Sequence, residues 1–394
     1  MAKLNESQIA DYVRKTEMFS GDDDLTVTEL SDGNINYVFR VKNRKGRSVI
    51  VKYADDRIRT SGNYLTIDRN RIETSALASE GKLAGNYVPE VYLYDRDNCL
   101  FIMEDLYDYE NMRLALMQQK IFPSFASDIT DFLVKTLILS TDDVTDPMEK
   151  KKQVGEFINP MLCRITERLV FSEPYDSSCP YNNYTPEITD FILQEVCNND
   201  LLKLEVARLK NTFKNKAQSL LHGDLHTGSI FVRKDSTRVL DPEFAFYGPA
   251  GYDVGNVIAN LIFAWVRNSY TAGNEEFGQW VLDTIVYVFD HFFAEGKRLL
   301  EKEATDPMAR VKGYSDFLMK DMKTDSIGMT GTELIRRTIG DAQVKDLTTI
   351  EKPARLYAEK TCILLAEDMI INRAEYETGC QIIEQLQKIR SEQE

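Results

Sequence analysis

The sequence has little with which to bind a metal through nitrogen or sulfur. It holds three histidines and six cysteines in 394 residues. The cysteines (Cys99, Cys163, Cys179, Cys197, Cys362, Cys380) are scattered and form no C-x-x-C pair. That spacing argues against a zinc knuckle or a disulfide framework and reads as reduced, incidental thiols. Basic charge is also short: 48 Lys and Arg against 63 Asp and Glu, a formal net charge of −15. Nucleic acid and anionic membrane both reward a positive surface, so neither is the expected partner. A phosphorylated small ligand needs only a local pocket of positive charge and is still allowed. Long apolar runs are missing as well. The most apolar segment, Val254 to Val266, is too short to span a bilayer and contains Asn256 and Asn260. Met1 to Arg14 carries Glu6 and Asp11 and lacks the profile of a signal peptide. These absences predict a soluble, cytoplasmic protein.

What is present is an ordinary globular composition, 43% hydrophobic and 28% charged, long enough for about two domains at roughly 150 residues each. The first quarter reads as strand-rich. Leu25 to Leu30 is a strand candidate, followed by the turn cluster Ser31-Asp32-Gly33-Asn34. Asn36 to Val41 and Ser48 to Tyr53 form a hairpin pattern around Asn43-Arg44-Lys45-Gly46. Asp68 to Leu83 has helical spacing, with Ile72, Ser75, Ala76, Ser79 and Leu83 on one face. Val91 to Tyr94 and Cys99 to Met103 read as a second strand pair.

After Leu106 helical patterns dominate: Phe125 to Leu139, Met148 to Leu169, Pro186 to Phe213, Tyr252 to Tyr270, Phe277 to Lys302 and Pro353 to Ser391. One β-type island, Ser219 to Val239, interrupts them. Thr141 to Lys152 reads as a charged, solvated connection. The fold class is therefore α+β in two lobes: a β-rich lobe over residues 1–106 and a mostly helical lobe over 107–394. A cleft between two lobes is a common place for a ligand.

The strongest chemical signal runs from Leu220 to Val232. Two apolar runs bracket the loop His222-Gly223-Asp224-Leu225-His226-Thr227-Gly228-Ser229. A further strand, Arg238-Val239-Leu240, leads straight into Asp241-Pro242-Glu243. Two acids one residue apart at a strand end suit a hard divalent cation such as Mg²⁺, which takes few protein carboxylates and fills its shell with phosphate and water. Asp224 is then left to accept a proton from an attacking hydroxyl. Each residue alone also reads as a turn or a helix cap. The ordered combination of strand, loop, strand and acid pair carries the reading.

These segments resemble the aminoglycoside and choline kinase-like branch of the protein-kinase fold. The longer stretches HGDLHTGS (222–229) and DPEFAFYGP (241–249) resemble the 5-methylthioribose kinase family in particular. Three more agree: SDGNINYVF (31–39) resembles its nucleotide-covering loop, LTIDRNRIETSAL (65–77) its first helix, and ELIRRTIG (333–340) its twin-arginine segment.

The resemblance implies a two-lobed kinase using ATP and Mg²⁺. Its reaction would be phosphorylation of the anomeric hydroxyl of S-methyl-5-thioribose, a step of methionine salvage, by a homodimer. It places Asn36 over the nucleotide and Lys52 on its phosphates, with Glu73 as the charge partner of Lys52 and Glu80 as a second candidate. Glu104, Asp105 and Leu106 form the hinge whose backbone reads adenine. Asp224 is the implied catalytic acid-base residue. Asp241 and Glu243, around Pro242, are the implied metal ligands, with Ser229 where many relatives have an Asn ligand. Arg336 and Arg337 are implied to bind the sugar and the phosphoryl group in transfer.

The family shows Trp-Pro before Leu65-Thr66, where this chain has Asn63-Tyr64, so Tyr64 is the implied aromatic cover for the substrate. Two other readings stay open on the sequence. One is a kinase of another small molecule: another sugar, an aminoglycoside, choline or homoserine. The other is a nucleotide-binding scaffold without turnover. Paired arginines argue against an amine substrate, and the complete acid set argues against the scaffold.

Overall fold

The structure, a computed structural model, describes residues 4–20, 23–30, 36–58 and 62–393. The turn cluster at 31–34, and the covering loop as far as residue 35, lie outside the described residues. The first lobe is a five-stranded antiparallel sheet. Its strands are β1 (Leu25–Leu30), β2 (Tyr37–Asn43), β3 (Ser48–Tyr53), β4 (Val91–Asp95) and β5 (Leu100–Glu104), in the order β1-β2-β3-β5-β4. Two helices accompany the sheet: α1 (Glu6–Arg14) and α2 (Arg69–Ala84).

The central strand, β3, shows why the sheet presents a charge to the cleft. Side chains alternate faces along a strand. Val49, Val51 and Tyr53 pack with Phe39, Val41, Leu100, Ile102 and the α1 residues Ile9 and Val13. Ile50, opposite Met103, joins the separate cluster that contains Leu77 and Ala84 of α2. Lys52, opposite Phe101, shares the face of Ile50. A one-residue slip of β3 would send Lys52 into the apolar cluster beneath α1, so the hydrophobic pattern fixes where its charge emerges.

The α2 face differs from the sequence expectation. Ser75, Ser79 and Leu83 are only partly buried, whereas Glu73 and Glu80 are buried alongside Ile72, Ala76 and Leu77. Apolar spacing could not reveal a helix face that carries acids inward.

The larger part is built on two helices, Gly251–Tyr270 and Tyr314–Ile339, both buried along most of their length. They approach closely: a Cβ on Gly255 would stand 2.7 Å from the Thr330 amide nitrogen. The segment Val254–Val266 is buried on all sides because it belongs to a core helix. No helix among the described residues is long and apolar enough to cross a membrane.

Three expected helices are broken in two. Met148–Leu169 divides at Asn159, where Pro160 opens a new helix, Pro160–Phe171. Pro186–Phe213 divides at Asn199, whose side chain caps Asp200–Asn215 by accepting from the Leu202 amide. Pro353–Ser391 divides before Thr378, which forms a capping box with Gln381. The 26-residue helix Tyr314–Ile339 was not expected as a whole. Its Ser, Thr and Gly content is unfavourable, but Gly328 and Gly331 let it lie against Leu209 and Ile370, and packing outweighs propensity.

The charged segment 141–152 also departs from expectation. Lys150, in helix Pro147–Glu156, is fully buried. Its ammonium donates to the carbonyls of Ser140 (2.7 Å) and Gln218 (2.6 Å) and lies 4.3 Å from the centre of the Tyr247 ring. It thereby anchors the chain just before the strand Ser219–Leu221, which leads into the loop at His222. Lys150→Met leaves both carbonyls without a donor. We expect it to lower the free energy of unfolding by about 3 kcal/mol, measured by urea denaturation.

Candidate active site

The strand Ser219–Leu221 pairs antiparallel with Phe246–Gly248 and delivers the loop His222-Gly223-Asp224. Gly223 has φ +83°, and a Cβ there would stand 2.3 Å from the Phe244 carbonyl oxygen, so only glycine fits the turn. The loop is held from two sides. Asp253, at the start of the core helix Gly251–Tyr270, accepts from the amides of His222 (2.6 Å) and Gly223 (3.1 Å). Burial pushes the Asp253 carboxyl up to about 7, against the pull of these two hydrogen bonds. His222 Nδ1 accepts from the Asp224 amide at 3.3 Å, which leaves Nε2–H to donate to the Leu240 carbonyl at 2.9 Å. One imidazole thus fastens the Asp224 loop to the strand end that carries Asp241.

Asp224 lies among cations. Its Oδ1 takes Arg337 Nη2 at 3.3 Å and Arg336 Nη2 at 3.4 Å, and His226 Nε2 stands 3.4 Å from Oδ2. Burial alone would raise the carboxyl. His226 and the two guanidiniums outweigh it and hold Asp224 well below the usual carboxylate range. His226 is itself lowered to about 3 by burial, so it is neutral at pH 7 and the arginines carry the charge. Its Nδ1 accepts from the Ser229 amide (3.1 Å), which places its proton on the nitrogen facing Asp224. Ser229 Oγ is turned to the Asp224 carbonyl at 3.3 Å.

The arginines are fixed by Glu333, one turn earlier on the same helix. Its Oε1 accepts from Arg337 Nε at 2.7 Å and its Oε2 lies 3.2 Å from Arg336 Nε. Their place in the last turn of a long helix also suits the negative end of its dipole.

The second group of charges meets at Lys52. Its ammonium donates to Glu73 Oε1 at 2.6 Å and to Asp241 Oδ1 at 2.7 Å. Burial alone would lower Lys52, but Asp241, Glu73 and Glu243 together raise it above its ordinary value. Burial pushes the Glu73 carboxyl upward, against the attraction of Lys52. Asp241 would also rise on burial, but Lys52 holds it below its ordinary value. Glu80 makes no ion pair with Lys52; burial raises it strongly, and Asp253 adds to that rise.

Glu243 Oε2 accepts from Asn36 Nδ2 at 3.0 Å and lies 3.6 Å from Arg69 Nε. Pro242, between the acids, is buried. Asp241 Oδ2 and Glu243 Oε1 accept from no described group. Two carboxylates with spare oxygens fit a cation that completes its shell from phosphate and water. Among the described residues, no cluster of three or more acidic, His or Cys side chains forms a cage for a metal.

In the segment expected to form the hinge, the Asp105 carboxylate is taken by Arg40 through two hydrogen bonds, Nε to Oδ2 at 2.8 Å and Nη2 to Oδ1 at 3.0 Å. The Glu104 amide donates to the Glu90 carbonyl, and the Leu106 carbonyl accepts from the Tyr109 amide. The amides of Asp105 and Leu106 donate to no backbone carbonyl among the described residues. Tyr64 is not brought into either charge group: it is 61% exposed and faces Arg57 through an isolated β-bridge.

Sequence reasoning missed two arginines. Arg113, near the start of helix Met112–Met117, donates to Asn260 Oδ1 (2.8 Å) and Thr227 Oγ1 (3.2 Å) and lies 3.6 Å from Asp346. No motif marks it; only the fold brings it beneath the Asp224 loop. Arg69 is the other, in a segment already noted for its resemblance.

Residues 184–284 match the phosphotransferase enzyme family. A methylthioribose kinase from Geobacillus thermodenitrificans is 37% identical over 379 residues, 94% of this chain and 93% of that protein. One from Pectobacterium atrosepticum is 36% identical over 358 residues, 88% of each. The chain belongs to the methylthioribose kinase family. Its fold matches the crystal structure of a choline kinase from Cryptosporidium parvum, with TM-score 0.52 at 14% identity over 94% of this chain and 100% of that one. The fold of the family is thus the two-lobed protein-kinase-like fold.

The charge around Asp224 sets a pH dependence. As pH falls below the ordinary carboxylate value of 3.8, the unfolded chain takes up the proton before the folded one does. The stability that Asp224 contributes is present above that value and is lost as pH falls further. Asp224→Asn is expected to show a shallower loss of stability between about pH 4 and pH 2 than the parent chain, read by denaturation at each pH.

Proposed function

We propose that this kinase transfers the γ-phosphoryl group of ATP to the anomeric hydroxyl of S-methyl-5-thioribose. The product is S-methyl-5-thioribose 1-phosphate, an intermediate of methionine salvage. The observation that carries the reading is the meeting of Arg336 and Arg337 on one oxygen of Asp224. Their contacts of 3.3 and 3.4 Å are longer than the roughly 2.8 Å of a committed charge-assisted hydrogen bond. The guanidiniums therefore have capacity left for a substrate oxygen.

In the reaction, Asp224 orients the sugar hydroxyl and takes its proton as oxygen bonds to phosphorus. The bond from the γ-phosphorus to the bridging oxygen breaks, and ADP leaves. Arg336 and Arg337 bind the sugar and face the charge on the phosphoryl oxygens in transfer. Lys52, positioned by Glu73, turns to the nucleotide phosphates. Asn36 covers the nucleotide, and the amides of Asp105 and Leu106 offer donors to the adenine edge. Asp241 and Glu243 are the residues to hold Mg²⁺, which supplies charge neutralisation at the phosphates when bound. Tyr64, exposed in the structure, is the residue to cover the S-methyl end of the sugar.

In this reading the lobes divide at the hinge, with residues 1–106 covering the nucleotide and 107–394 carrying the sugar site. The chain works in the cytoplasm as a homodimer.

An ADP-release assay with S-methyl-5-thioribose at varied Mg²⁺ tests the proposal. Asp224→Ala should lower turnover by about 10³-fold or more while calorimetry still detects nucleotide binding. Unchanged turnover in that variant, or faster turnover of choline or an aminoglycoside by the parent chain, overturns it.

A further inference from the structure

Arg69 is the first residue of α2 and is wholly buried. A cation in the first turn of a helix opposes the helix dipole, so its position has to be justified by its contacts. Those contacts join four separate segments. Nε donates to Asn36 Oδ1 at 2.9 Å. Nη1 donates to the carbonyls of Leu65 (3.1 Å) and Thr66 (2.6 Å), and Nη2 to that of Asp55 (2.8 Å). Its nearest full negative charge is Glu243 Oε2, 3.6 Å from Nε.

The Asn36 amide is thereby caught between opposite charges. Its oxygen faces the guanidinium and its NH₂ faces the Glu243 carboxylate, at 2.9 and 3.0 Å. A flipped amide would set donor against donor on one side and acceptor against carboxylate on the other. Arg69 therefore decides which way Asn36 points and, through it, where the Glu243 carboxylate sits. The same guanidinium holds the backbone immediately after Tyr64. A lysine at this position could not reproduce the contacts, because its three donors lack the planar fork.

We propose that Arg69 is a positioning residue that couples the two substrate sites, so that nucleotide and sugar each bind more tightly when the other is present. The proposal rests on the preceding assignment of Asn36 and Glu243 to the nucleotide side and of the Tyr64 loop to the sugar side. When a nucleotide orders Asn36 and Glu243, the guanidinium is held in one orientation, and its carbonyl acceptors at Leu65 and Thr66 are ordered with it. Linkage requires the same factor in the opposite direction.

The test uses the full chain, with S-methyl-5-thioribose and a non-hydrolysable ATP analogue plus Mg²⁺ as probes. Calorimetry gives the sugar dissociation constant with and without the analogue. In the parent chain the analogue is expected to tighten sugar binding about 5-fold or more, and in Arg69→Lys the factor should fall close to 1. A merely structural role would weaken both ligands and leave the factor unchanged. Hydrogen exchange on the parent chain supplies a second measurement that does not depend on how the variant folds. The analogue alone should slow exchange of the amides at residues 62–67. An unchanged factor in Arg69→Lys, or no slowing of exchange in the parent chain, overturns the proposal. Failure of the parent chain to phosphorylate S-methyl-5-thioribose would overturn the functional reading instead, so the two failures are distinguishable.

Discussion

The buried ammonium of Lys52 is the constraint on which the rest of the first lobe depends. A charge taken out of water must be compensated, and one carboxylate leaves donors unused. Glu73 and Asp241 are both within hydrogen-bond distance of it, one from a helix and one from the end of a distant strand. This single atom therefore ties β3 to α2 and to the strand end that carries Asp241. It also explains why α2 buries Glu73 on a face that apolar spacing would leave half exposed.

The second lobe solves the converse problem. Asp224 is an anion faced by two arginines and a neutral imidazole, and each of these neighbours has its own restraint. Glu333 fixes both arginines, the Ser229 amide fixes the tautomer of His226, and Asp253 and His222 fix the loop backbone. The net charge of −15 conceals this arrangement. The chain is acidic as a whole, yet the acids of both charge groups have basic neighbours, and His222 links the Asp224 loop to the strand end that carries Asp241. Arg69 extends the same logic to the backbone after Tyr64, with one guanidinium donating to Asn36, Leu65 and Thr66.

Much of the fold was legible because it obeys short-range rules. The strands around Asn43 to Gly46 and Asp95 to Asn98, and the helix Phe125–Leu139, follow from alternation, turn residues and 3.6-residue spacing. The Asp224 loop and the Asp241-Pro242-Glu243 strand end stood out because acids and glycines between apolar runs are uncommon without a reason. Less legible were features that only packing stabilises. The helix Tyr314–Ile339 is rich in Ser, Thr and Gly, and Lys150 lies inside a segment that reads as a solvated charge run.

By itself, the sequence determined the five strands and the helix α2 of the first lobe, though not α1, together with the family and the chemical types at the candidate site. These depend on residue identity and near neighbours in the chain. Only the tertiary structure decided the partners: Glu73 and not Glu80 for Lys52, Arg113 beneath the Asp224 loop, and Arg69 between Asn36 and the Leu65–Thr66 backbone. The physical reason is range. A hydrogen bond or ion pair between residues far apart in the chain exists only once the backbone has brought them within about 3 Å, and no local pattern records that approach.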